Sequence, residues 1–241
     1  MRNMVAALFI ALFACNGITA SAQAQKIDWS DWSRCQNKNN RYGYSAAVPA
    51  CTRVLGWRRL SNRRRALAYQ WRGYAHTQMR RNKVAISDYN SSLKYNPALS
   101  ETLPLRASAY ARMRKFKLAA ADYRSALKRN RRSFSAHNGL CYVLTLVNQS
   151  SEALEQCNQA VRIRPRSATA RYNRGDARFD QKKIKNAFAD YAAAKRLAPK
   201  DEELYNRVGN AYASLKQYKK AIKEYDKAIA LKPSYHHPWR N

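Results

Sequence analysis

The chain has 241 residues, 46% of them apolar and only 7 of them glycine, enough for one sizeable core or for a string of small linked ones. Lys and Arg number 46 against 15 acids, so the formal net charge of +31 is far from neutral for a soluble chain and draws anions through a long-range, salt-sensitive field. No Gly-x-Ser-x-Gly, glycine-rich phosphate loop or His-Glu-x-x-His occurs and the four histidines are scattered, so the sequence offers no catalytic constellation and implies no cofactor.

The first segment, residues 1–24, differs in kind from the rest. Arg2 precedes an uninterrupted apolar run from Met4 to Cys15, and small residues then lead to Ala22-Gln23-Ala24. This pattern predicts a secretory signal peptide cut before Gln25, and with it a periplasmic or secreted protein of bacterial type. The run is short for a membrane span. A buried N-terminal helix is the bland alternative, and Leu12-Phe13-Ala14-Cys15 has a loose likeness to a lipoprotein processing site on Cys15.

The rest of the chain is periodic. In residues 202–235, Val208, Tyr212 and Leu215 lie on one face of a first helix, and Ala221, Ile222, Tyr225, Ala228 and Ile229 on one face of a second. Pro233 stops the second helix. Taking Gly209 as place 8 and stepping back by 34 residues gives Gly175, Cys141, Ala107 and Gly73, all small. The same steps from Tyr225, place 24, give Tyr191, Cys157, Tyr123 and Tyr89, and from Ala221 they give Ala187, Ala153, Ala119 and Ala85. Five units are thereby fixed, over 66–99, 100–133, 134–167, 168–201 and 202–235, with Pro104 expected to delay the first helix of the second by a turn. No unit can bury its apolar face alone, so each needs neighbours stacked on both sides.

Once the leader is cut, Cys35, Cys51, Cys141 and Cys157 remain, an even number in an exported chain. Cys141 and Cys157 occupy places 8 and 24, on facing sides of two helices, and Cys35 and Cys51 repeat their spacing. The predicted disulfides are Cys35–Cys51 and Cys141–Cys157, each closing a loop that contributes roughly 3 kcal/mol. Four buried free thiols are the alternative. Setting Cys35 at place 8 also reveals a sixth, degenerate unit within 25–65, a disulfide-tied N-terminal cap followed by four extra residues, 62–65. At the other end, 236–241 form a short tail. His236-His237 there are a poor metal pair, and Ile222, Tyr225 and Ile229 are left for Trp239, a partner or a second copy of the chain to cover.

This period, with these residues, resembles the tetratricopeptide repeat. The resemblance implies an all-α fold, a right-handed α-solenoid of five full repeats plus the degenerate one, and a non-enzymatic scaffold for an unidentified protein or peptide. It further implies a concave groove lined by the first helix of each repeat. On this chain the groove places carry Trp29 and Trp32, then Gln70 and Tyr74, Ser108 and Arg112, and Asn138 and Tyr142, followed by Tyr172, Asp176, Phe179 and Asp180, and by Glu203, Asn206 and Asn210. Aromatic and amide side chains suit an extended peptide. Some family members clamp a C-terminal carboxylate with Lys, Arg and Asn. Here only Asn173, Asn206, Arg207 and Asn210 answer to that pattern and the lysines do not, so no such clamp is expected.

The cations lie mostly elsewhere. The second full repeat is the richest, with Arg112, Arg114, Lys115 and Lys117 at its turn and Lys128 and Arg129 at its end. These form a second candidate surface, for an anionic polymer or membrane, and they would also hold nucleic acid nonspecifically, which export makes an unlikely partner.

Overall fold

The computed structural model describes residues 28–232, which contain twelve α-helices, one short 3-10 turn and no strand. The leader with Cys15 and the tail from Pro233 lie outside the described residues. The helices fall into antiparallel pairs: α1 (Trp29–Gln36) with α2 (Tyr44–Leu55), α3 (Asn62–Gln78) with α4 (Asn82–Tyr95), and α5 (Thr102–Arg112) with α6 (Phe116–Arg129). They continue as α7 (Phe134–Leu146) with α8 (Ser150–Ile163), α9 (Ala168–Asp180) with α10 (Ile184–Leu197), and α11 (Glu202–Ser214) with α12 (Tyr218–Leu231). Each pair packs on the next, and the first helices of the early pairs also touch one another. The result is an all-α solenoid.

Local chemistry sets the helix ends. Asp28, Ser61, Ser133, Ser167 and Asp201 accept a backbone N–H at the start of α1, α3, α7, α9 and α11. Between the two helices of each full repeat, place 15 is left-handed: Arg80, Arg114, Asn148, Lys182 and Lys216 have φ of 58–61°. The next N–H folds back to the carbonyl five residues earlier, as from Lys115 to Tyr110, which closes the helix with a Schellman-type bond.

Two boundaries differ from expectation. Residues 62–65 are the opening turn of α3, capped by Ser61, rather than a spacer. The helix α5 begins at Thr102, two places later than α7, α9 and α11 do in their repeats, so Pro104 sits in its first turn and the delay is shorter than a full turn.

Place 8 faces place 24, and three chemistries serve that contact. A Cβ on Gly73, Gly175 or Gly209 would come within 2.9, 2.5 and 2.4 Å of the rings of Tyr89, Tyr191 and Tyr225. In the cap and the third full repeat a disulfide takes over, Cys35–Cys51 and Cys141–Cys157, as predicted. In the second, Ala107 has a Cβ, and the Tyr123 ring leans instead on Gly139 of the following repeat. A second contact joins Arg at place 7 to Asp at place 23. The Arg72–Asp88, Arg106–Asp122 and Arg174–Asp190 pairs are each bidentate at 2.7–3.0 Å, with the Asp side chains 3–11% exposed. The third and fifth full repeats carry Leu140 with Gln156, and Val208 with Glu224, at the same places.

Candidate peptide-binding groove

Successive first helices meet through places 5 and 6. Asn173 Nδ2 donates to Asn138 Oδ1 of the preceding repeat at 3.1 Å. One repeat on, the same geometry lays the Arg207 guanidinium over the Tyr172 ring, 4.2 Å from its centroid and 5.8 Å from that of Tyr142. Phe188 and Tyr212 stack at 4.3 Å between α10 and α11. With the Phe188–Tyr212 stack between them, α10 and α11 approach less closely than the second and first helices at the four preceding junctions. The extra width opens a cleft.

That cleft encloses about 370 Å³ and is lined from three successive repeats, by Thr145, Leu146 and Asn148, by Tyr172, Asp176, Phe179, Asp180 and Tyr191, and by Arg207, Asn210, Ala211 and Ser214. Asp176 sits at its centre, its side chain 25% exposed. It accepts from Tyr191 Oη at 2.8 Å and lies 3.5 Å from Arg207. Burial raises the Asp176 pKa, opposed by Arg207 and by the tyrosine hydroxyls, and burial likewise raises that of Asp180. Arg207 is also 3.8 Å from Glu203, and a smaller recess of about 210 Å³ opens between Thr169, Tyr172, Glu203 and Arg207. The cleft therefore offers ring faces, amides and more carboxylate than guanidinium.

The structure gathers some of the expected groove residues and not others. Tyr172, Asp176, Phe179 and Asn210 line the cleft, with Tyr142 behind Arg207 and Asn138 already bonded to Asn173. Tyr172 is floor rather than wall, 6% exposed between Arg207 and Tyr191, and Asn206 is buried. Tyr74 stands apart, edge-on to Tyr44 at 5.9 Å. Trp32 is partly buried against the core of the cap, between Trp57 and Trp71. Arg207 and Tyr191 were not expected on the groove. Arg207 had a legible signal: place 6 looks back at place 5 of the previous repeat, where Tyr172 stands.

The basic residues of the second repeat do not form one patch. Arg114, Lys115 and Lys117 are exposed at the α5–α6 turn, close to Arg112, whereas Lys128 and Arg129 stand at the far end of the 14-residue helix α6, roughly 20 Å away, where Arg129 bonds the Pro97 carbonyl. At the last repeat α12 exposes Tyr218, Ile222 and Ile229. Among the described residues no group of His, Cys, Asp and Glu is placed to hold a metal ion, and no helix is long and apolar enough to cross a membrane.

Stacked antiparallel helix pairs around a concave, side-chain-lined cleft define a helical-repeat binding scaffold. Tetratricopeptide repeat models match residues 66–99, 105–163, 147–202 and 202–235, more than half of the 241-residue chain, and the protein belongs to the tetratricopeptide repeat family. It is 28% identical over 94 residues, 39% of this chain, to a DnaJ homolog subfamily C member 3 homolog of Dictyostelium discoideum, and the match spans 18% of that protein. Among solved structures it resembles TTC0263, a thermophilic tetratricopeptide repeat protein of Thermus thermophilus, with a TM-score of 0.65 and 19% identity over 70% of this chain and 93% of that one. It also resembles YrrB, described as a tetratricopeptide repeat protein with an unusual peptide-binding site, with a TM-score of 0.54 and 20% identity over 77% and 94% of the two chains. At such identities the likeness establishes the fold.

Proposed function

We propose that the protein is a non-enzymatic scaffold, exported to the bacterial periplasm or beyond, that holds an extended segment of a partner protein in the cleft between the third and fifth full repeats. The observation that carries this reading is the cleft itself, where the solenoid widens and side chains of three repeats converge on one concave space. The ring of Phe179 supplies area, and Asn210, whose Oδ1 accepts from Tyr225 Oη at 2.8 Å, offers its Nδ2 to a peptide C=O. Asp176 and Asp180 give the space a negative bias in a chain of net charge +31, which selects a segment bearing Lys or Arg.

The test is a peptide-library selection on the chain from Gln25 onward, followed by affinity measurements on the selected sequences. Selected peptides should carry a basic residue, and Phe179→Ala or Asp180→Asn should each weaken them by about tenfold, the loss of about 1.4 kcal/mol. Binding should also weaken as acid neutralises Asp176 and Asp180, at a higher pH than ordinary carboxylates require. Peptides that bind the two variants as tightly as the parent would refute the assignment, as would a library that yields none.

A further inference from the structure

A different face of the molecule is strongly basic. Between Asp31 and Asp88 the chain has 13 Lys and Arg and no acid at all, and 11 of the 13 are arginine. Some of these charges are occupied: Arg53 pairs with Asp31, Arg72 with Asp88, and Arg65 donates to the Leu55 carbonyl at 2.9 Å. Others are not buried in such contacts. Arg58 and Arg59 on the α2–α3 connection, and Arg63 and Arg64 in the first turn of α3, are exposed. One of them, Arg64, stands over an indole. Trp29 is 51% exposed, meets Trp57 edge-on at 5.9 Å, and lies under the Arg64 guanidinium at 5.1 Å. Buried Trp57 and Leu60 pin the connection that displays Arg58 and Arg59, so the cluster is held in place by the cap core. The nearest carboxylate in the chain, Asp28, is engaged in capping α1.

We infer that this Trp29–arginine face docks on an anionic phospholipid surface. Guanidinium groups pair bidentately with phosphate, and an indole with one wet edge suits the headgroup layer. A single-stranded nucleic acid fits less well. It would stack bases on open ring faces, and Arg64 already covers one face of Trp29. The face is also remote in the chain from the groove repeats and does not depend on what the groove binds.

The experiment is flotation of the chain from Gln25 onward, which contains every described helix, with phosphatidylcholine vesicles that include or lack phosphatidylglycerol. Arg58→Gln/Arg59→Gln/Arg63→Gln/Arg64→Gln is compared with Arg112→Gln/Arg114→Gln/Lys115→Gln/Lys117→Gln, which removes the same charge elsewhere. Circular dichroism confirms that both fold. Each cation at a membrane surface is worth about a fivefold change in partitioning, so the first variant should lose on the order of a hundredfold or more and the second far less. Trp29→Ala should also weaken binding, while Phe179→Ala should leave it unchanged. Equal losses in the two quadruple variants would overturn the inference and make the attraction a matter of overall charge. Equal binding to vesicles without phosphatidylglycerol would overturn it too, as would tighter binding to a single-stranded oligonucleotide at the same salt.

Discussion

Arg106 and Asp122 can be removed one at a time or together, and the protein itself supplies the replacement, since Leu140 and Gln156 stand at the same two places one repeat later. Two bonds of 2.7 Å join the pair, with side chains 21% and 11% exposed, and Arg106 also donates to Asn90 at 2.7 Å. Breaking a fully buried pair costs about 3–5 kcal/mol because a charge is left unpaired, and with part of Arg106 in water Asp122→Asn should cost about 2–3 kcal/mol. Arg106→Leu, which strands the carboxylate, should cost as much. The double variant Arg106→Leu/Asp122→Gln strands no charge and should fall within about 1 kcal/mol of the parent. Glu152→Gln, which breaks the exposed Arg124–Glu152 pair, should cost less than about 1 kcal/mol. Urea unfolding followed by circular dichroism gives the totals, and amide exchange in α5 and α6 shows whether the loss is local, since repeat arrays need not unfold in one step. A double variant as unstable as the sum of the singles would refute the reasoning, for the two side chains would then contribute independently, with no coupling through the pair.

The remaining expectations concern packing, redox and pH. Gly139→Ala places a Cβ 2.2 Å from Cζ of the buried Tyr123 ring, so strain of about 1–3 kcal/mol outweighs the helix-propensity gain of up to about 1 kcal/mol, and thermal unfolding should show net destabilisation. Gly209→Ala meets the less buried Tyr225, whose ring can give way, and should cost less in the same assay. Cys141→Ser/Cys157→Ser should lose about 3 kcal/mol, and because both sulfurs are buried, alkylation after mild reductant should label them only when denaturant is present. His76 is buried with Nδ1 unbonded, and burial lowers its pKa, so the unfolded chain takes up the proton first. Stability should therefore be full above about pH 6.5 and fall as pH drops below it, and His76→Tyr, the residue type of Tyr110 and Tyr212 at that place, should flatten the melting temperature between pH 5 and 7.

The register of the full repeats was legible because small and aromatic residues recur at one period, and the disulfides followed because Cys141 and Cys157 replace a glycine and a tyrosine that must touch. The Arg–Asp pairs were equally legible in principle. Arg72, Arg106 and Arg174 share one place, Asp88, Asp122 and Asp190 another, and the separation is that of the cysteines. The groove was harder to read. Helix-face assignment names the side chains that point inward but not how far apart two repeats stand, and the cleft depends on the Phe188–Tyr212 stack between α10 and α11. The cap is a related case: Trp32 packs between Trp57 and Trp71, contacts between indoles that helix-face assignment does not name.

The same pairing accounts for where this very basic protein can act. Among the described residues, nine of the 15 acids form ion pairs, and Asp88, Asp122 and Asp190 do so inside the solenoid, where they bind together the two helices of one repeat and screen little of the surface. Arg58, Arg59 and Arg63, outside those pairs, are exposed near the cap. The cleft is the exception, because Asp176 and Asp180 line it against Arg207 alone. If both proposals hold, an anionic surface at the cap and a basic segment in the cleft are bound at once, and high salt should release the first more readily than the second, whose contacts include buried aromatic area.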